Sequence, residues 1–290
     1  MNPQASVVIP HYNDPSALDL CLTALEAQNF PLDRFEIIVA DNASPCGIEA
    51  VRAVVGDRAR LVEVLEPGAG PTRNGGAAVA RGEYLAFTDS DCVPEPGWLA
   101  AGLGALEKAD IVGGSMTVLV DRSRPLTAAE AFELVFAFDN RIYVQKKHFS
   151  VTANLFVRKA DFERVGGFRT GVSEDQEWCL RARDMGLRIA YAAEAKVGHP
   201  ARRSWPDFLN KWRRLVDEQY LITREWKFGR LRWLAKTWVL PLSILVHTPR
   251  VLKSGMLSGM NERLRAIAAL VRIRLWRFIE AHRVLLRSRS

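Results

Sequence analysis

The first 120 residues alternate between two hydrophobic periods, and this alternation constrains the fold more than any other feature of the chain. Val7-Val8-Ile9, residues 35–40, 60–65 and 83–88, and Ile111-Val112 are short apolar runs of strand length. Between them lie stretches of helical spacing. One is opened by Asp14-Pro15 and carries Leu18, Leu22 and Leu25 on one face; the others are residues 48–55, 71–81 and 96–108. Proline suits a first helical turn because the N–H it lacks would have no partner there. Strands separated by helices return in the same direction. The predicted class is therefore α/β, a mostly parallel sheet flanked by helices. Such sheets bind ligands beyond the carboxyl ends of their strands. Polar clusters stand at three of those ends: His11-Tyr12-Asn13-Asp14, Asp41-Asn42-Ala43-Ser44 and Asp89-Ser90-Asp91.

In the third cluster an apolar strand runs straight into an Asp-x-Asp triplet. Two carboxylates at the mouth of a sheet suit a hard divalent cation, which can in turn hold a diphosphate. The triplet is common by chance, and its meaning comes from what surrounds it.

Residues 121–200 are less regular. Helices are expected at 127–140, 160–165 and 174–185, the last ended by Gly186, with strands at 151–157 and 187–191. Cys21, Cys46, Cys92 and Cys179 are scattered without C-x-x-C spacing and are expected to be reduced thiols. The first strand begins without a basic and apolar leader, so no signal peptide is expected.

Charge divides the chain near residue 200. Residues 201–290 hold 20 Lys/Arg against 6 Asp/Glu, and residues 1–200 hold 20 against 27. Six of the eight tryptophans lie in the basic part. The expected organisation is a catalytic domain over 1–200, followed by a basic, Trp-rich helical region over 201–290. Residues 237–246 are apolar but fall short of the about 20 residues needed to span a bilayer. In residues 257–287, Leu264, Ile267, Val271, Leu275, Phe278, His282 and Leu286 share one helical stripe. Arg265, Arg272, Arg277, Arg283 and Arg287 lie on its flanks and opposite face. This pattern predicts a helix in an anionic membrane interface, its arginines reaching headgroup phosphates. The alternative is a helix packed on the domain with a solvated basic face.

Five segments in order resemble glycosyltransferase family 2: SVVIPHYND, IIVADNAS, GAGPTRNGGAAVARGEYLAFTDSD, ANLFVRK with GGF, and SEDQEWCLRARDMG. The resemblance covers about residues 5–200 and implies an inverting sugar transferase of GT-A fold. It implies that Pro10 and Tyr12 seat the nucleotide base and that Asp41 accepts a hydrogen bond from the base edge. It places Arg73 and Asn74 near the nucleotide; a guanidinium suits a diphosphate. Asp89 would lie near the ribose or a metal-bound water, and Asp91 would ligate Mg²⁺ or Mn²⁺. The pair Glu174-Asp175 would supply the general base, Asp175 ahead of Glu174. His199 is a candidate further metal ligand, and Trp98 a candidate floor of the sugar site. Each residue has a plainer reading: a cap or Asx turn for Asp41, a surface ion pair for Arg73, a macrodipole-favoured first turn for Glu174 and Asp175, a hydrogen-bonded loop for His199, core packing for Trp98.

The Gln-x-x-Arg-Trp motif of processive members is absent; the nearest segment reads Asn210-Lys211-Trp212-Arg213-Arg214. Transfer of one or a few sugars is therefore expected. The partners implied are a nucleoside-diphosphate sugar, a saccharide or lipid-linked saccharide acceptor for surface polysaccharide, and an anionic membrane on its cytoplasmic face. A nucleotidyltransferase is the first rival, although the loop after the first strand lacks the glycines that would cradle a triphosphate. A non-enzymatic nucleic-acid- or membrane-binding protein is the second. No nucleic acid is expected, because the basic residues flank a Leu/Ile/Phe stripe instead of interleaving with exposed aromatics.

Overall fold

The computed structural model describes residues 3–287. The chain folds into two compact units. The first comprises Met1–Thr117 and Asp139–His199; the second comprises Val118–Phe138 and Pro200–Ser290. The break near residue 200 lies where charge divides the sequence, but residues 118–138 go with the later unit.

The first unit begins with β1 (Ala5–His11), α1 (Pro15–Glu26), β2 (Phe35–Asp41), α2 (Ile48–Val55), β3 (Arg60–Glu63), α3 (Ala69–Ala78) and β4 (Tyr84–Phe87). Asp14 caps α1 by accepting from the Ala17 N–H, and Pro15 follows as the sequence predicts. After β4 come β5 (Val93–Pro94), α4 (Trp98–Ala105) and β6 (Ile111–Leu119). Beyond α5 (Ala128–Phe136) the chain continues through α6 (Asn140–Lys147), β7 (Leu155–Arg158), α7 (Lys159–Val165), α8 (Glu174–Asp184) and β8 (Ile189–Pro200).

The eight strands are ordered β3-β2-β1-β4-β7-β6-β8-β5. The half β3-β2-β1-β4 is parallel, as expected. β7 pairs antiparallel with both β4 and β6, and β5 with β8, so the sheet is mixed. β6 and β8 outrun their predicted lengths because glycines follow Val112, and Ala, Glu and Lys follow Tyr191. Those residues carry little strand propensity, and sheet pairing overrides it. The predicted helix over 127–140 stops at Phe136, and an unexpected second helix, α6, follows from Asn140, with Asp139 capping it through Ile142 N–H. Apolar side chains cover both faces of the sheet: Val7, Ile9, Val39 and Trp98 on one, Val8, Ile38, Phe87 and Trp178 on the other.

The second unit holds α5 with α9 (Trp205–Arg224), α10 (Gly229–Leu252) and α11 (Gly259–Arg287). Phe132, Phe208, Leu270 and Ile273 share its largest core. α11 packs through Ala266, Ala269, Leu270, Ile273, Ala281 and Val284, small or branched residues on a face other than the expected stripe. That stripe is left outward at Leu264, Leu275 and Leu286.

Several of the arginines assigned to headgroups also contact the protein. Arg272 lies over the Trp205 ring at 4.1 Å and Arg277 over Trp212 at 4.4 Å. Arg283 and Arg287 reach the buried Glu280. Burial, with Arg274 adding to it, holds the Arg277 guanidinium down to about 9. Part of the basic excess is thus engaged by the protein's own rings and carboxylates. Glu133 is another example, accepting from Lys211 Nζ at 2.8 Å and from Arg202 Nη1 at 3.2 Å. Burial would raise its pKa, but the two cations hold it below the usual range.

Candidate active site

Parallel register brings the ends of β1 and β2 level, His11 opposite Asp41. The His11 ring bonds Asp41 Oδ1 through Nδ1 at 2.7 Å and accepts the Asp14 N–H on Nε2 at 3.2 Å. These two bonds place the neutral ring's proton on Nδ1. Asp41 also accepts from the N–H of Ser44 at 3.0 Å and from its hydroxyl. The hydroxyl oxygen of Ser44 in turn accepts the Asn13 N–H at 2.8 Å. Asp41 is buried beneath this network, so the turn reading describes its bonds here. Tyr12 stands outward beside it, 61% exposed, and Pro10 is half-buried. Asn13 and Ala43 both have left-handed backbones, with φ of 53° and 50°. Strain of this kind collects at binding loops and costs about 1–3 kcal/mol per residue.

Neither His11 nor Ser44 was singled out from sequence; the signal was their place at two strand ends that parallel pairing brings level. Asn42 is a second omission. Its amide donates to Val64 and Glu66 carbonyls and accepts from Gly68 N–H, tying the loop before α3 to β2.

Arg73, on α3, is buried and reaches two carboxylates. Nη2 donates to Asp89 Oδ1 at 2.6 Å and Nη1 to Glu174 Oε1 at 3.0 Å. Burial pulls its pKa down, but Asp89 and Glu174 outweigh this and the net shift is upward. The surface ion pair expected as its plain reading is instead a buried bridge. Asn74 also turns inward: its amide donates to Phe168 C=O and accepts from Phe168 N–H, each at 2.8 Å. Asn74 thereby clamps the GGF segment. Gly167 permits the close approach, since a Cβ there would meet Asn74 Oδ1 at 2.6 Å.

That clamp leads into α8, whose first residues are Glu174 and Asp175. Asp175 accepts from Ser173 Oγ at 3.0 Å and Gln176 N–H at 2.7 Å. Burial first, and the Glu174 charge second, push its carboxyl up to about 6. The hydrogen bonds and Arg73 pull the other way without prevailing.

Beyond β4, Asp89, Asp91 and Cys92 present ligand atoms within 4.8 Å of one another. Cys92 is fully buried. Burial, reinforced by Asp89 and Asp91, pushes its thiol well above the ordinary value, and sulfur is in any case a soft donor, ill matched to a hard Mg²⁺- or Mn²⁺-type ion. His199, near the end of β8, brings Nε2 to 3.4 Å from Asp91 Oδ2. Two carboxylates and an imidazole fit a Mg²⁺- or Mn²⁺-type ion. Trp98 does not face this site. It is fully buried, donates from Nε1 to Asn154 Oδ1 at 2.9 Å and packs on Phe156, so its expected sugar contact is corrected to core packing.

The family profile described as Glycosyl transferase family 2 matches residues 6–166, which include the His11, Asp41, Arg73 and Asp89–Asp91 segments and stop before Phe168, α8 and β8. The chain belongs to this family. It is a glycosyltransferase, and it shares 31% identity over 252 residues with glycosyltransferase AglE of Haloferax volcanii, covering 84% of this chain and 81% of that one. The pre-mycofactocin glycosyltransferase of Mycobacterium tuberculosis is 28% identical over 215 residues, which are 70% of this family 2 chain and 44% of the relative. Among solved structures, mannosyltransferase PcManGT of Pyrobaculum calidifontis, in complex with GDP-Man and Mn²⁺, superposes with a TM-score of 0.57 at 18% identity. That match covers 99% of this chain and 75% of the other. S. aureus TarS 1–349 with UDP-GlcNAc gives 0.53 at 21% identity, over 97% and 82% of the two chains. At such identities the likeness establishes the GT-A fold of this family 2 enzyme.

Proposed function

We propose that this enzyme moves a sugar from a nucleoside-diphosphate sugar to an acceptor hydroxyl by single displacement with inversion. The reading rests above all on the Arg73 bridge, which ties the acidic loop after β4 to the pair Glu174-Asp175. A donor group and a base are thereby held in one site. Tyr12, Pro10 and the Asp41 network would seat the base. A divalent ion at Asp91, Asp89 and His199 would neutralise charge on the departing diphosphate. Asp175 takes the acceptor proton as the acceptor oxygen bonds the anomeric carbon and the nucleoside diphosphate leaves. A carboxyl near 6 is largely ionised at neutral pH and still basic enough to accept that proton.

The complexes of relatives with GDP-Man and Mn²⁺ and with UDP-GlcNAc support a nucleotide-sugar donor and a divalent ion here. Membership of the family sets the nucleotidyltransferase and nucleic-acid-binding rivals aside. The basic second unit supports a cytoplasmic enzyme working peripherally at the membrane on a lipid-linked saccharide, adding one sugar or a few. Among the described residues, no helix is long and apolar enough to cross a bilayer.

Thermal shifts with UDP, dTDP and GDP, with and without Mn²⁺, test the donor site. One nucleotide should stabilise the wild type only with metal, and Asp91→Ala should lose the effect. No shift from any of them with folded protein would overturn the reading.

A further inference from the structure

The second unit carries an apolar surface that its own core does not use. On α10, Leu231, Trp238, Val239, Leu242, Leu245 and Val246 are each between 57 and 75% exposed. They recur at helical spacing along one side, over a length of about 20 Å. The surface continues onto α11. The Trp238 ring meets Phe278 edge-on at 5.1 Å, and Leu275 and Ile279 beside it are exposed. A stripe of this kind on a folded unit marks an interaction surface.

Charge identifies what covers it. Residues 226–261, which contain all of α10, hold six Lys/Arg and no Asp/Glu. Arg230 and Arg232 stand at one end of the stripe, Arg250 and Lys253 at the other, all exposed. Two copies joined through this face would bring like charges together without a carboxylate between them. An anionic bilayer supplies both an apolar phase for the stripe and phosphates for its ends. Trp226 and Trp238 are exposed on the same segment, and indoles favour the headgroup boundary. Pro241 and Pro249 lie inside the helix, and its hydropathy falls short of a span, which suits a helix lying along an interface better than one crossing it.

We infer that the α10 stripe, continued by Phe278 and its neighbours on α11, is the surface by which this enzyme docks on anionic lipid. The inference rests on the membrane-located acceptor proposed above and names the face that meets the bilayer. It differs from the sequence expectation, which placed the contact on α11 and its arginines.

The test is co-sedimentation of the full chain with vesicles of phosphatidylglycerol and phosphatidylcholine, against phosphatidylcholine alone. The wild type should bind the anionic vesicles and be released by about 0.5 M salt, enough to shorten the Debye length to a few ångströms. Leu242→Glu with Leu245→Glu should lower the bound fraction at least about tenfold, the order expected from placing two charges in an apolar phase. Leu20→Glu, on the exposed side of α1, should leave it unchanged. Circular dichroism melting of each variant shows whether it is folded; if the double variant is not, Arg230→Glu with Arg232→Glu reads the same face through its charge. Binding that survives both pairs overturns this face and leaves the membrane-located acceptor standing. A wild type that stays in the supernatant with both vesicles overturns both. A wild-type dimer that the double variant dissolves, seen by light scattering, would assign the face to a second copy. Nucleotide-dependent thermal shifts in the same samples report the donor site independently.

Discussion

Arg73 donates to Glu174 at 3.0 Å although 101 residues separate them, and its other terminal nitrogen holds Asp89. One buried guanidinium thus joins the acidic loop after β4 to the first turn of α8. Its Nε is buried without a hydrogen-bond partner, so the bridge carries its own desolvation cost.

Replacing that guanidinium should be costly. Arg73→Ala leaves Asp89 and Glu174 facing one another with no cation between, and should destabilise the fold by about 3 kcal/mol. Arg73→Lys should recover little of this, because one ammonium cannot span two carboxylates as a planar fork does. Thermal melts of both variants check the stability, and transfer assays should show both impaired. A lysine variant with wild-type melting would show that the bridge matters less than its geometry indicates.

The carboxyl of Asp175 makes a pH prediction. A raised pKa means that the ionised, base-competent form is lost as pH falls through about 6. Below that value kcat/KM should fall about tenfold per pH unit. Glu174→Gln removes a like charge and should move this acid limb to lower pH. A limb unmoved by that variant would speak against the base assignment.

Linkage gives the same residue a stability signature. The folded pKa of Asp175 lies above its unfolded value, so ionising it costs stability, fully at pH above about 6 and not at all below the unfolded value near 3.8. Asp175→Asn should therefore abolish transfer, keep nucleotide binding and raise stability at pH 7 by about 1–3 kcal/mol. The gain should vanish near pH 3. Melting curves at the two pH values decide it.

The carboxylates proposed to hold the ion should separate from their buried neighbour. Asp91→Ala should abolish the Mn²⁺-dependent part of nucleotide binding, and His199→Ala should weaken it about 10- to 100-fold if the imidazole completes the set. Cys92→Ser should leave metal dependence intact while lowering stability, because it buries a hydroxyl in place of a protonated thiol. Titration of Mn²⁺ against nucleotide affinity in the three variants measures this.

Asn74→Ala should release the Phe168 backbone from both bonds of its clamp, at about 1–3 kcal/mol. Gly167→Ala should do similar damage from the other side, since its Cβ would meet the same amide. Both should lower transfer through the placement of the α8 start, with activity falling further than nucleotide affinity. Equal losses of the two would instead put Asn74 at the nucleotide.

How much was readable in advance can be judged residue by residue. The alternation of short apolar runs with helical spacing marked β1 to β4 and the helices between them, because burial on both faces of a parallel sheet forces that pattern. The same rule located the three polar strand ends that make up the candidate site. The strands at 111–112, 151–157 and 187–191 were also legible, but their direction and full length were not, because Gly113-Gly114 and the Ala-rich stretch after Tyr191 have no strand signature and are extended only through pairing. Trp98 was misplaced for a related reason: proximity to a motif in sequence does not say whether a side chain points into the core or out of it.

The sequence by itself determined the fold class, the family and the order of the acidic and basic segments, since these depend on local periodicity and motif spacing. Only the tertiary structure decided which polar groups meet. Whether Arg73 bridges Asp89 and Glu174, whether His11 orients Asp41, and which face of α11 is buried all depend on long-range packing. A helix carrying two apolar stripes, as α11 does, offers two faces of similar hydrophobicity, and the one that packs is the one whose small residues let its neighbours approach.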